Sequence, residues 1–137
     1  MPVPPPYPLA MVICDMVWRD PYTAKCTIIG TFSAVCSSIF PAVHPVLSVY
    51  ITLTDGRGIV PISLVLIDAD EERAPIFKQD QDIEFIDPRA IVELIFVSGG
   101  IQFPQPGEYR LQLIAANEFI MERRILVLQT PLEEQQP

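Results

Sequence analysis

The chain has 137 residues, and half of them are apolar, which is enough for one domain with its own hydrophobic core. Its 9 basic and 17 acidic residues give a formal charge of -8. Because nucleic acids and anionic membranes are bound mainly through basic residues, both are excluded as expected partners. The three cysteines form no Cys-x-x-Cys motif, and the amino terminus has no secretory signal pattern, so we predict reduced, buried thiols in a cytoplasmic protein.

Prolines and polar residues mark the two ends of the predicted domain. Five of the first eight residues are proline, which predicts an extended, loose arm over residues 1–8. The last eight residues, 130–137, are mostly polar and predict a disordered tail. The folded domain is therefore expected over residues 9–129.

The first half of that domain reads as four strands. Residues 9–18 are apolar on both strand faces, which predicts a strand covered on both sides, with Trp18 packed in the core. Residues 24–32 return as a second strand, and Gly30 within them indicates a bulge or a close backbone approach. Residues 33–45 are predicted to form a connection only. Strands over 46–54 and 58–68 follow, joined by a hairpin turn.

The strand over 46–54 has the clearest alternation of apolar and polar residues in the sequence. Its predicted core-facing side chains are Leu47, Val49, Ile51 and Leu53. Polar residues between them predict that the other face is exposed to solvent.

The second half predicts a short edge strand over 75–84, a strand over 90–97 and a closing hairpin. The hairpin begins after the Pro106-Gly107 turn, and its first strand places Tyr109, Leu111 and Leu113 on one face. In total, seven to eight strands follow each other at spacings of about 8 to 12 residues, and no helix is required. We therefore predict an all-β fold, an antiparallel two-sheet β-sandwich.

Four segments resemble a known family. They are Val12-Ile13-Cys14-Asp15, residues 27–32, Phe40-Pro41-Ala42-x-His44-Pro45 and the Phe103-Pro-x-Pro-Gly-x-Tyr-x-Leu pattern. In this order they are similar to a family of small uncharacterised bacterial proteins known only as a domain of unknown function. The resemblance spans about residues 9–127. It implies an immunoglobulin-like β-sandwich in a bacterial cytoplasm, and it carries no activity or site residue.

Several strands carry apolar residues on the face that a two-layer sandwich leaves exposed, and such surfaces usually mark an interaction site. This possible interaction surface comprises Val65, Ile67, Ile91, Ile95, Val97, Leu126 and Leu128. We therefore predict a non-catalytic interaction module that binds protein, either another protein or a second copy in a homo-oligomer. The alternative is that the proline-rich arm or residues 69–88 cover the same face.

Two other functions are kept as alternatives. A hydrolase using His44 would need a nucleophile such as Cys36 and a carboxylate beside it, or else a pair of the clustered carboxylates. A calcium or ligand-binding module would use the acidic loops Asp68–Glu72 and Asp80–Asp87, although a solvated acidic rim explains these loops more simply. No cofactor, metal site or catalytic residue is predicted.

Overall fold

The structure is a computed structural model that describes residues 4–70 and 73–131. These residues form nine strands and no helix. The strands are β1 (Tyr7–Arg19), β2 (Cys26–Thr31), β3 (Ala34–Ser37), β4 (Ala42–Thr54), β5 (Gly58–Asp68), β6 (Phe77–Phe85), β7 (Val92–Phe103), β8 (Gly107–Ala115) and β9 (Glu118–Gln129). The predicted all-β class is confirmed.

The strands are divided between two sheets. The four-stranded sheet has the order β2-β1-β4-β7, and the five-stranded sheet, which is curled, has the order β3-β9-β8-β5-β6. All neighbouring strands are antiparallel except β3 and β9, which run parallel. Each sheet therefore ends in two edge strands, β2 and β7 in the first and β3 and β6 in the second.

The inner faces of both sheets share one hydrophobic core. The core-facing side chains of β4 that the alternation predicts are all buried: Leu47, Val49, Ile51 and Leu53. Tyr109, Leu111 and Leu113 of β8 belong to the same cluster, so this part of the prediction is also confirmed. The period-two pattern identifies these residues because successive side chains of a strand point to opposite faces of the sheet, and the apolar ones share the face that packs on the other sheet.

Tyr109 also fixes the turn before β8. Its hydroxyl donates a hydrogen bond to the carbonyl of Gln105 at 2.7 Å and accepts one from the amide of Gln105 at 3.3 Å. Its ring packs edge-on against Phe103, with 4.9 Å between the ring centroids. Both hydrogen-bonding roles of a buried phenol are thus satisfied within the turn, which ties the end of β7 to the start of β8.

Two details of the sequence prediction are wrong. The structure has nine strands rather than seven to eight, because β3 lies in the segment predicted as a connection, and β3 pairs in parallel rather than antiparallel. This strand has four residues, and its pairing partner is about ninety residues further along the chain, so no local alternation indicates it. Its Val35 side chain nevertheless reaches the core.

The cysteines and the domain ends show smaller differences. All three thiols are free, but only Cys14 is buried, while Cys26 is half-buried and Cys36 is exposed, contrary to the predicted burial of all three. Strand β1 begins at Tyr7, inside the predicted arm, and β9 ends at Gln129, where the domain was expected to end. Most of the predicted tail and the start of the arm lie outside the described residues.

Candidate functional site

The residues predicted as an interaction surface lie in separate places. Val65 and Ile67 of β5 are buried, so they add no exposed surface. Leu126 and Leu128 are partly exposed on β9, in the five-stranded sheet. Ile91, Ile95 and Val97 lie at or on β7, in the other sheet. The fold thus distributes these seven side chains over both sheets, and their role in binding stays a prediction.

A different apolar surface lies on the β1–β2 hairpin (residues 15–31). Met16 and Ile29 are directly opposite each other across the two strands, and Trp18 lies two pairs further along, opposite Thr27. These apolar side chains are 46%, 46% and 45% exposed for Met16, Ile29 and Trp18, respectively. The prediction that Trp18 packs in the core is therefore wrong.

The hairpin folds back over the outer face of the four-stranded sheet. Glu93 pairs with Thr52, and Thr52 pairs with Ala10, so Glu93 lies level with Ala10 in the sheet. A straight β1 would place Arg19 about 30 Å further along, at ~3.3 Å per residue. Arg19 Nη1 is instead 3.2 Å from Glu93 Oε1. Strand β1 must therefore bend sharply beyond Cys14.

The fold-back explains why part of an outer sheet face is dry. Beneath the hairpin, Cys14 has 0% exposure, and Ser48 and Thr52 are also buried, so the prediction that the polar face of β4 is exposed is wrong at these two residues. The Ser48 hydroxyl donates a hydrogen bond to the carbonyl of Asp15 at 3.2 Å, at the position of the bend. The prediction that β1 is covered on both faces therefore holds at Cys14 and fails at the exposed Met16 and Trp18.

A polar cluster holds the hairpin in this position. Arg19 binds the Glu93 carboxylate and also donates to the carbonyl of Ala24 at 2.8 Å, within the hairpin turn. The other Glu93 oxygen accepts a hydrogen bond from the Tyr50 hydroxyl. These contacts join β1, β4 and β7 across the covered face, and we call Arg19, Tyr50 and Glu93 the latch.

The latch shifts the protonation of its members. Burial, followed by the hydrogen bond to Glu93, raises the pKa of Tyr50 to about 12. The same hydrogen bond lowers the pKa of Glu93, with a smaller contribution from Arg19. Burial and the charge of Glu93 raise the pKa of the Cys26 thiol. The cluster is therefore held as a neutral phenol and an ionised carboxylate around neutral pH, and the Cys26 thiol is a poor nucleophile.

The edge of the hairpin differs from the other sheet edges. Strand β2 is the outermost strand of its sheet, and none of its six residues is charged. Strand β6, in contrast, presents Lys78, Asp80, Asp82 and Glu84 to solvent. On β7, the carbonyl of Val97 already accepts a hydrogen bond from the side-chain amide of Gln79 at 3.1 Å. Charged or occupied edges resist pairing with another chain, whereas the β2 edge has no such protection.

His44 of β4 lines a cavity of about 310 Å³. Asp15 of β1 and Cys36 of β3 line the same cavity. The His44 ring packs against Phe32 with 4.8 Å between centroids. The buried Nε2 atom has no hydrogen-bond partner among the described residues, and it is 3.9 Å from Asp15 Oδ1. The structure thus brings together the residue types that the hydrolase alternative requires.

The predicted acidic loops are only partly paired with neighbours, and residues 80–85 of the second one belong to strand β6 rather than to a loop. Asp68 lies 3.6 Å from Arg73 Nε, and Asp87 is 3.1 Å from Arg89 Nη2. Asp80 accepts a hydrogen bond from the Ser63 hydroxyl. Within residues 4–70 and 73–131, no three His, Cys, Asp or Glu side chains are arranged to hold a metal ion. Glu71 and Glu72 of the first loop lie outside these ranges, so a cation there stays a prediction.

A further cavity, of about 780 Å³, is an open groove between the edges of β6 and β7. Phe77, Ile101 and Pro104 give it an apolar lining, and Gln79 spans it by donating to Val97 and Ser98. This side chain closes part of the groove against an added strand. The uncharged edge and exposed apolar face of the hairpin are therefore the most accessible candidate site.

Sequence reasoning missed this site, although the sequence contains a signal for it. The stretch from Ile13 to Trp18 is apolar on both parities, and β2 has no charge over its whole length. The first feature predicts burial on both sides when it is taken alone. Only its combination with an uncharged strand at a sheet edge indicates the hairpin surface.

Together, the two sheets and the hairpin define an all-β domain with an unprotected edge and an exposed apolar hairpin face. The chain belongs to the family of unknown function DUF6941, whose model matches residues 9–128. The predicted membership of an uncharacterised family is therefore confirmed.

Other comparisons add little. The sequence matches no curated protein. Among solved structures, the alkylpurine DNA glycosylase AlkC of Pseudomonas fluorescens, bound to DNA containing an abasic site analog, is similar with a TM-score of 0.47 and 8% sequence identity. That match covers 88% of this chain and 30% of the glycosylase chain. Within the described residues, no helix is long and apolar enough to cross a membrane.

Proposed function

We propose that this protein is a non-catalytic binding module that recognises an extended segment of protein at the β1–β2 hairpin. The observation that carries the proposal is the uncharged, unpaired edge of β2 beside the exposed side chains of Met16, Trp18 and Ile29. Free backbone groups at the edge supply hydrogen bonds to an added strand, and the apolar side chains supply contact area. Tryptophan and methionine are enriched at the centres of protein interfaces, which supports this surface over the acidic parts of the molecule.

The finer features of the fold and its location belong to the same proposal. We infer an immunoglobulin-like arrangement, supported by the Tyr109 hydroxyl that bonds the backbone four residues upstream, as in the tyrosine corner of such domains. The parallel pairing of β3 with β9 departs from a purely antiparallel sandwich. We also infer a bacterial cytoplasmic location, and the free thiols support the reducing compartment.

The proposal is tested by selecting displayed random peptides on the immobilised full chain. Binding of the enriched peptides is then measured to three proteins: the native chain, the Ile29→Lys variant and the Ile86→Lys variant. Ile86 is 90% exposed in the bend after β6, so its substitution is the matched control. We expect Ile29→Lys to weaken binding by about tenfold or more and Ile86→Lys to leave it unchanged. Peptides that bind the Ile29→Lys variant as well as the native chain would refute the proposed site.

A hydrolase is the second candidate function, and the shared cavity of Asp15, Cys36 and His44 favours it. Here His44 would remove the thiol proton of Cys36, and Asp15 would orient the imidazole. The test is the rate of Cys36 alkylation by iodoacetamide as a function of pH, in the native chain and in His44→Gln. A hydrolase requires alkylation that is enhanced near neutral pH and falls about tenfold or more in His44→Gln. Equal rates would remove this candidate.

A further inference from the structure

The hairpin edge points to a particular partner, and this inference rests on the proposed function. We propose that the extended segment is β2 of a second copy of this chain, paired antiparallel about a twofold axis at Ile28. In this register, Cys26 lies opposite Gly30 of the second copy, and Thr27 lies opposite Ile29. The two four-stranded sheets then continue through the pair of β2 strands.

Charge favours a second copy at this edge. Two β2 strands oppose no like charges, because residues 26–31 contain none. Two β6 strands would bring the exposed carboxylates of Asp80, Asp82 and Glu84 together, which is unfavourable in a chain of formal charge -8. Pairing β2 with itself also closes the assembly at two copies, since a twofold interface uses the same surface on both.

The two ends of β2 are complementary in charge. Lys25 precedes the strand and is exposed, and none of the ion pairs among the described residues includes it. At the other end, the Asp15 side chain lies against Gly30 and is 63% exposed. Antiparallel pairing brings Lys25 of one copy to the end of β2 where Asp15 of the second copy lies. The twofold axis produces this attraction twice, which a parallel arrangement does not.

The interface also brings the exposed apolar side chains together. Ile29 of one copy lies beside Thr27 of the second copy, and Thr27 is flanked by Trp18 on the same hairpin face. A row of Met16, Ile29, Thr27 and Trp18 therefore crosses the interface in each direction. Because only six residues pair on each side, the buried area is at the low end for protein interfaces, and we expect a dimer that dissociates on dilution.

Sedimentation equilibrium of the full chain, from low-micromolar to millimolar concentration, tests the dimer. We expect a reversible monomer–dimer equilibrium. Ile29→Lys places two like charges near the axis and should weaken dimerisation about tenfold or more, whereas Ile86→Lys should not change it. A native chain that remains monomeric at millimolar concentration would overturn the inference.

Charge exchange tests the antiparallel orientation. Lys25→Glu and Asp15→Lys should each weaken the dimer about threefold to tenfold, and the two substitutions in one chain should restore most of the loss. A double variant that dimerises no better than the single ones contradicts the pairing of these ends.

Disulfide formation provides a second measurement that does not depend on the charge variants folding. In a Cys36→Ser background, Thr27→Cys and Ile29→Cys chains are mixed under mild oxidation. We expect a covalent heterodimer in the mixture, and little covalent dimer in either chain alone. Equal yields with all combinations would contradict the register.

Failure of the dimer and failure of the proposed function give different results. If the native chain stays monomeric but displayed peptides bind it and lose affinity in Ile29→Lys, the hairpin binds another protein and the second copy is wrong. If the chain is monomeric and the peptides bind the Ile29→Lys variant as well as the native chain, the proposed function is wrong as well.

Discussion

At the scale of single residues, Gly30 shows how one backbone position fixes a functional side chain. Its φ angle is +72°, and a Cβ atom at this position would lie 2.5 Å from Oδ2 of Asp15. Asp15 is the residue at which β1 bends, and its carboxylate faces His44. The sequence predicts a bulge or a close backbone approach at Gly30, and the structure shows instead a close approach of the Asp15 side chain, which glycine accommodates together with the positive φ.

We predict that Gly30→Ala destabilises the protein by about 2–4 kcal/mol, because backbone strain and a steric clash add together. Gly58→Ala is the matched control, since Gly58 has a φ of +66° and a Cβ atom added there would meet no other atom within 4 Å. The control should cost only about 1–2 kcal/mol. Urea unfolding of both variants measures the difference.

A further variant separates the two causes at Gly30. Adding Asp15→Ala to Gly30→Ala removes the closest clashing atoms and should recover part of the lost free energy of unfolding. If Gly30→Ala and Gly58→Ala cost the same, or if Asp15→Ala recovers nothing, the contact between Gly30 and Asp15 does not constrain the fold.

The sequence predicts which side chains of a strand enter the core, but it does not predict whether the outer face is covered. The alternation in β4 identifies Leu47 and its neighbours because the sheet face alone decides their environment. The prediction for Trp18 is wrong, since its exposure depends on the bend of β1. That bend is held by contacts from Asp15 to Ser48 and from Arg19 to Glu93, which are 33 and 74 residues apart in sequence. No local pattern contains this information.

At the scale of strands, the folded-back hairpin behaves as an element of its own. It is connected to the sheet through β1 and is held over the outer face chiefly by the latch of Arg19, Tyr50 and Glu93. Its strands can be predicted from the sequence because each has its own apolar content and turn. The position of the hairpin cannot be predicted, because the alternation along a strand indicates only which side chains share a sheet face. It does not show that the strand bends over the outer face of its own sheet.

Labelling of Cys14 measures opening of the hairpin. This thiol has 0% exposure and lies beneath the hairpin, so a thiol reagent reaches it only after the hairpin separates from the sheet. Glu93→Gln removes the charge that Arg19 binds. In a background with Cys26→Ser and Cys36→Ser, we expect this variant to label Cys14 about tenfold faster under native conditions, corresponding to about 1.4 kcal/mol.

The control for this experiment is Glu122→Gln. Glu122 also pairs with an arginine, Arg110 at 3.9 Å, but it lies on β9, away from the hairpin. We expect no change in Cys14 labelling with this variant. If both variants accelerate labelling equally, the thiol is exposed by global unfolding and the latch does not control the hairpin.

At the scale of the whole molecule, the edge strands differ in how they are protected from other chains. Four charged side chains stand along β6, a glutamine side chain occupies β7, and β3 is only four residues long. Only β2, among the described edges, combines length with the absence of charge. The arrangement of the edges follows from sheet order, which local sequence patterns do not determine, so the sequence alone could not identify β2 as the accessible edge.

If charge is what protects β6, removing it should create a second associating edge. We predict that Asp80→Asn, Asp82→Asn and Glu84→Gln together cause concentration-dependent assembly beyond dimers, measured by light scattering. A dimerising β2 edge and a newly permissive β6 edge on each copy allow open chains. Replacing the same three residues by lysine is the control: the formal charge moves from -8 to -2, further than the -5 of the neutral variant, but the edge stays charged. If the neutral variant assembles and the lysine variant does not, local charge protects the edge. Greater assembly of the lysine variant would show instead that net charge protects it.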